Sequence, residues 1–268
     1  MRIYLSLLLV ALCIYLFVTA PAPLPSERIA APEIPVSEAL TLLAEENKVV
    51  RTLWTAEIVG KGKSAGLAFN EDWKEKDVEA GPLPALFLRE ISRQLEADPM
   101  QIGLFLGSDN PINVSNRFRG RQKEYFNLMK RTGSAQFFTA AEVQLETAMF
   151  PDVAGAQACV DCHNEHADSP RQDWGLGDMM GATTWTYPDK AVTLEELVAM
   201  TGAFRRAAHA AYQTYLDKTR TFENPPAIGA WPESGYSLPS ADDFMAESSR
   251  RASETTLAAI LATHATTK

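Results

Sequence analysis

The chain has 268 residues, 46% of them hydrophobic, and a formal net charge of −9. That length buries one sizeable core and is short for two comfortable domains. The acidic balance excludes an overall attraction to nucleic acid or anionic lipid, so no nucleic-acid partner is expected.

Residues 3–20 are an unbroken run of 18 apolar or weakly polar residues behind Arg2 and ahead of Pro21, Pro23 and Pro25. As a helix the run would span about 27 Å, near the thickness of a bilayer core. It predicts a transmembrane or signal helix over residues 1–20. Val18-Thr19-Ala20 resembles a small-residue cleavage site, but Pro21 would follow the scissile bond, which favours an uncleaved anchor. With Arg2 held inside, the rest of the chain is expected in the periplasm, tethered to the cytoplasmic membrane or released if cleaved. Cys13 lies within the run and reads as a small buried hydrophobe, with acylation left open.

Residues 21–37, rich in Pro and Ala, read as an extended stalk. Ser37 can then cap an amphipathic helix over 38–59, in which Leu40, Leu43, Ala44, Asn47, Val50, Leu53, Trp54 and Ile58 recur at helical spacing and Gly60 and Gly62 follow. Pro84 opens a second helix whose stripe is Leu86, Phe87, Ile91 and Leu95, and Asp98-Pro99 stops it. Strands are expected over 101–106, 136–140, 143–150 and 182–187, with a helix over 116–131. A long helix over 194–218 carries Leu197, Val198, Thr201, Phe204, Ala208, Ala211, Tyr212 and Tyr215 on one face. Residues 223–268 read as an extension packed on the domain: a Pro/Gly/aromatic belt with Trp231, Pro232 and Tyr236, then a helix over 241–263. Helices at both ends with antiparallel strands between them imply an α+β domain over 38–222, a sheet covered by helices.

One pentapeptide carries the chemistry. Cys159-Val160-Asp161-Cys162-His163 places two thiols and an imidazole at the spacing that attaches a haem covalently and ligates its iron. The thiols would add across the two porphyrin vinyl groups, and His163 would be the proximal ligand. Two other readings of the same residues stand beside it. A Cys-x-x-Cys redox disulfide is expected near a βαβ pattern, whereas this pair follows an Ala/Gly loop. A zinc knot of Cys159, Cys162, His163 and His166 would crowd its ligands into a span much tighter than usual.

From the motif through Asn164-Glu165-His166-Ala167-Asp168-Ser169-Pro170, and again over Asp173-Trp174-Gly175-Leu176-Gly177-Asp178-Met179-Met180-Gly181, the chain resembles the PAS-like c-type haem sensor domains of bacterial receptors, kinases and cyclases, which also occur as freestanding proteins. Gly81 to Ala85 and Ser108-Asp109-Asn110-Pro111-Ile112-Asn113 look like upstream elements of that family, and the likeness covers about residues 38–188. It implies a PAS-like antiparallel sheet flanked by long N- and C-terminal helices, one haem c, and a redox or gas-sensing role. No kinase or cyclase signature follows the domain, so a signal is expected to leave through a partner.

The sixth iron position separates electron transfer from gas sensing. Met179 and Met180, expected in a loop returning from the motif, are the first candidates, although a methionine is more often core filler. His209 reads as a surface residue, and His166, three residues after His163, suits support of the proximal ligand. Among Trp174, Trp185, Phe137, Phe138 and Phe150, Trp174 is the preferred porphyrin wall. Arg117, Arg119, Arg121 and Lys123 suit haem propionates, an acidic partner or a solvated helix face. The functional readings are a haem sensing module acting on a periplasmic or membrane signalling protein, an electron-transfer cytochrome c with a redox partner, or an enzyme, for which no distal acid/base pair is visible. A homodimer is left open.

Overall fold

The computed structural model describes residues 33–140, 143–229 and 236–266, with positions 4, 9–13, 15 and 19 ahead of them and side chains as far as residue 253. The first half runs β1 (Ile34–Pro35), α1 (Val36–Leu53), a π-helical stretch (Trp54–Gly60), α2 (Lys61–Ser64), β2 (Ala68–Asn70), β3 (Ala80–Pro82), α3 (Pro84–Glu96), β4 (Gly103–Gly107), a 3-10 turn (Val114–Asn116) and α4 (Gly120–Thr132). The second half runs β5 (Gln136–Ala140), β6 (Leu145–Val153), α5 (Gln157–Glu165), β7 (Met179–Tyr187), β8 (Ala191–Val192), α6 (Leu194–Thr219), β9 (Ile228–Gly229), β10 (Leu238–Pro239) and α7 (Ala241–Thr266).

The α+β class is observed. Four antiparallel strands lie in the order β4-β7-β6-β5, so the first strand pairs with the last. Strand alternation gives the sheet two buried faces. Leu104, Ala148, Trp185 and Tyr187 face a core shared with α1, α3 and α6, while Phe138, Met149 and Ala182 face α4 through Phe126 and Met129. Three further two-stranded pairings, β1-β8, β2-β3 and β9-β10, lie outside the expected strands. Such short pairings leave little period for a sequence to show.

Within the first core, Trp54 stacks on Phe87 at 4.0 Å and meets Tyr215 edge-on at 5.1 Å. This ring cluster explains why the first helix departs from the expected one. It starts at Val36, so the last residues assigned to the stalk belong to β1 and α1, and from Trp54 it widens into a π-helix that buries Trp54, Ile58 and Val59. Tyr236 donates to the Ile58 carbonyl at 3.0 Å. Gly81 in β3 answers to the same rings, because a Cβ there would run into Phe69 and Tyr215. In α3 the buried stripe is Phe87, Leu88, Ile91 and Leu95, with Leu86 only half-buried.

Helix α6 begins with a capping box between Thr193 and Glu196. Its buried face is rotated from the expected one: Met200, Ala203, Phe204, Ala207, Ala208, Ala211, Tyr212 and Tyr215 are buried, while Val198 is 64% exposed. The alanines let neighbouring elements approach closely. The C-terminal residues share this core, since Leu238 and Phe244 are fully buried and Phe244 stacks on Tyr212 at 4.3 Å. Among the described residues no helix is long and apolar enough to cross a membrane. The expected anchor lies mostly outside the described residues, as do residues 21–32 of the stalk and Trp231 and Pro232 of the belt.

One buried charge is paired across helices. Glu46 of α1, 4% exposed, accepts two hydrogen bonds from Arg205 of α6, at 3.0 and 2.8 Å. Removing the arginine leaves a buried carboxylate without its counter-charge. Arg205→Met is expected to lower unfolding stability in urea by about 2 kcal/mol, a value reduced for the partial exposure of the guanidinium.

At Glu247 of α7, hydrogen bonding from Arg250 first, then Arg251, outweighs burial and holds the carboxyl down to about 2 against an ordinary value of 4.5. A depressed carboxyl stabilises the fold fully above its unfolded value and loses that contribution as pH falls toward the folded one. The acid side of the thermal melting profile should therefore be shallower in Glu247→Gln than in the native chain, while above the ordinary carboxylate range Glu247→Gln should melt lower.

Candidate functional site

The motif occupies α5, a short helix between the ends of β6 and β7. The helical step of about 100° puts residues i, i+3 and i+4 on one side. Cys159, Cys162 and His163 therefore share a face, and Val160 and Asn164 share the adjoining one. The second face is the anchor. Val160, 5% exposed, packs with Ala154 and Trp174 in a small core that Met180 adjoins. Asn164 clamps the backbone of Trp174, donating to its carbonyl at 3.0 Å and accepting from its amide at 2.8 Å.

The segment from Glu165 to Asp178 closes back on β6. Ala154 donates to the Asp178 carbonyl at 2.9 Å, and Gly177, at φ +84°, donates to the Ala154 carbonyl at 3.0 Å. Arg171 lies 3.9 Å above the Trp174 ring and donates to Asp173 at 2.6 Å and Asp178 at 3.1 Å. Trp174 is 6% exposed and meets the His163 ring edge-on at 6.5 Å.

Cys159 is half-buried and Cys162 exposed, and both are free thiols. His163 is half-buried, its Nδ1 is buried without a partner, and the Trp174 indole nitrogen is in the same condition. Burial pushes the His163 imidazole below its ordinary value, His166 adds to this, and the Asp152 and Glu71 carboxylates oppose it. The result favours a neutral ring, the form that ligates a metal. Burial, then Glu71, pushes the Cys162 thiol up, with Lys63 acting against them. The stretch following α2 thus lies beside the motif. His166 Nε2 is 3.4 Å from Glu71 Oε1, and its Nδ1 accepts from the Asp168 amide at 3.1 Å.

Haem fits this donor set. A porphyrin brings its own four equatorial nitrogens, so the protein need supply only thiols for attachment and an axial imidazole. A zinc knot needs four protein ligands, and no group of three or more His, Cys, Asp or Glu side chains converges for a metal among the described residues.

Met179 and Met180 begin β7 and do not lie in a loop. The register shift between Gly181 and Met179 separates them: Met179 joins Ala182 in the cluster on the α4 side, whereas Met180 adjoins the Ala154, Val160 and Trp174 cluster under the motif. Ser108 donates to the Met180 carbonyl, tying the end of β4 to this site. Of the aromatic candidates, Trp174 adjoins His163, while Trp185 and Phe150 belong to the main core, Phe138 stacks on Tyr125, and Phe137 is 46% exposed at the sheet edge. His209 lies 3.1 Å from Asp242, joining α6 to α7. Arg117, Arg119, Arg121 and Lys123 are exposed around the start of α4, with Arg121 bonded to the Thr139 carbonyl at 3.2 Å.

Val160 and Asn164 were given no role in the sequence reading, although the helical face adjoining that of the thiols and His163 would have pointed to them. Arg51 and Asp152, joined at 2.8 Å, are 101 residues apart and carry no local signal.

Two thiols and a ring nitrogen thus share one helix face at the end of a helix-covered antiparallel sheet in an α+β domain. The family model described as Tll0287-like matches residues 33–188, from β1 to just beyond β7. The chain belongs to this family, a cytochrome c-type haem-binding family with a PAS-like fold. No curated protein and no solved structure matches the chain.

The Asn164 clamp has a measurable consequence. In Asn164→Ala, amide exchange at Trp174 should accelerate at least roughly tenfold, as expected when a net contribution of about 1 kcal/mol per hydrogen bond is lost twice over. Unchanged protection by hydrogen-exchange mass spectrometry would show that the segment is held by other contacts.

Proposed function

We propose that this protein carries one haem c, joined by thioether bonds to Cys159 and Cys162 with His163 as the proximal iron ligand, and works as a redox or diatomic-gas sensing module that acts through a partner. The observation that carries this reading is the common face of Cys159, Cys162 and His163 on α5, with a buried, unpartnered nitrogen on the imidazole. Haem supplies reversible one-electron chemistry and, where its sixth position is open, binding of O₂, NO or CO. Trp174 gives the site an apolar wall beside His163. Val160 and Asn164 hold the helix so that the thiols face outward. Met179 or Met180 is proposed as the sixth ligand, which would require its sulfur to reach the haem face opposite His163.

The apolar run of residues 3–20 supports a membrane tether with the domain in the periplasm, the compartment suited to exported thiols and covalent haem attachment. An electron-transfer cytochrome is the second reading. It is favoured by exposed apolar groups flanking the motif, Val153 at 51% and Leu176 at 60%, of the kind that surround an accessible haem edge.

Replacing both Cys159 and Cys162 with Ala should abolish haem staining on a denaturing gel after maturation in a host that assembles c-type cytochromes. Persistent stain would contradict thioether attachment. Absorption spectra then separate the two readings: rapid CO binding to the reduced protein supports sensing, while indifference to CO and NO with a reversible potential supports electron transfer. Met179→Leu or Met180→Leu should alter the spectrum of the gas-free protein only if the sulfur removed is the sixth ligand.

A further inference from the structure

Strand β4 is an edge of the four-stranded sheet and pairs with β7 alone. Along such a strand the backbone groups of successive residues point alternately toward the partner and away from it. On the outer side of β4 the Leu104 carbonyl accepts from the Ser92 hydroxyl of α3. Just past its end, Ser108 donates its amide to the Asn116 carbonyl and accepts from the Phe118 amide, both at 3.0 Å. Leu106 lies midway between these two, and the unbroken β4-β7 register turns its amide and carbonyl to the same outer edge. No hydrogen bond reaches them there among the described residues.

This gap in the edge opens on a cavity of about 60 Å³ between α3 and β4, whose lining includes Ala85, Leu88, Arg89, Ser92, Leu106 and Asn116. Such a volume holds about four to six water-sized groups, at 10–15 Å³ for each. Arg89 is half-buried on its wall, and its one bond to a neighbouring side chain is a long one, from Nη2 to Asn116 Oδ1 at 3.4 Å. The nearby Glu90 carboxylate is taken by Lys74 and Arg93, so Arg89 has no counter-charge among the described residues. Leu88, 1% exposed, supplies an apolar floor.

A guanidinium fork matches the two oxygens of a carboxylate, and an unpaired backbone amide is a further donor to the same group. We propose that the cavity between α3 and the free edge of β4 binds a small aliphatic carboxylate, its oxygens held by Arg89 and the Leu106 amide and its short carbon chain laid against Leu88. The size admits an acid of two or three carbons and no larger ligand. The site stands apart from the haem reading and does not depend on it.

Isothermal titration calorimetry of the full-length chain with sodium propionate, in an uncharged detergent, tests this. Binding should saturate at one site, and sulfate at matched ionic strength should not compete. Arg89→Met keeps the aliphatic stem and should weaken propionate binding at least roughly tenfold, whereas Arg89→Lys, which keeps the charge and loses the fork, should fall between the two. Asn116→Asp preserves shape but hands Arg89 an internal carboxylate, so propionate binding should be lost while the melting temperature holds or rises. Running the titration on haem-loaded and haem-free chain separates two sources of the same group: a free acid binds both forms, and binding confined to the haem-free form would assign the pocket to a haem propionate. No saturable binding of propionate to either form, equal competition by sulfate, or an unchanged affinity in Arg89→Met would overturn the proposal and leave the haem reading untouched.

Discussion

The angular step of a short helix is the constraint on which the site depends. Three chemically active residues can share a face of α5 only because an adjoining face, Val160 and Asn164, is held by Trp174 and Ala154. The hold is mutual: Trp174 is fixed by Asn164 through both its amide and its carbonyl and covered by Arg171, and it in turn abuts His163. A helix of this length has little stability of its own, so its geometry comes from these tertiary contacts.

The sheet supplies the frame. The β6-β7 ladder ends where α5 leaves and the returning segment arrives, and the register shift at Asp152 and Val153 bends the chain there. Ser108 fastens β4 to Met180 at the same end, giving the Ser108 to Asn113 block a structural purpose. Helix α2 and the stretch after it bring Lys63 and Glu71 within electrostatic reach of Cys162. Haem attached here would meet a site assembled from β6, α5, the returning segment and the chain following the π-helix.

The long-period elements were legible. The helices around Leu43, Ile91, Phe204 and Phe244, and the strand at residues 136–140, lie where apolar spacing puts them. The failures were of a different kind. Val198 belongs to an apolar run that periodicity alone assigns to the buried face, yet it is exposed because the helix turns its alanines toward the core. Trp54 widens α1 into a π-helix to reach Phe87, a demand set by a ring well over one turn and more than thirty residues away. Met179 and Met180 look equivalent as neighbours and part company at a break in strand register that skips Met180.

The sequence by itself determined the donor chemistry, because two thiols and an imidazole at this spacing are a local property of five consecutive residues. It also determined the class of fold, since period and punctuation are local too. Tertiary structure alone decided which methionine faces the motif, which indole abuts the imidazole, and that Asp152 reaches Arg51 across 101 residues. Those outcomes depend on strand register and helix rotation, which are settled by packing between segments remote in the chain.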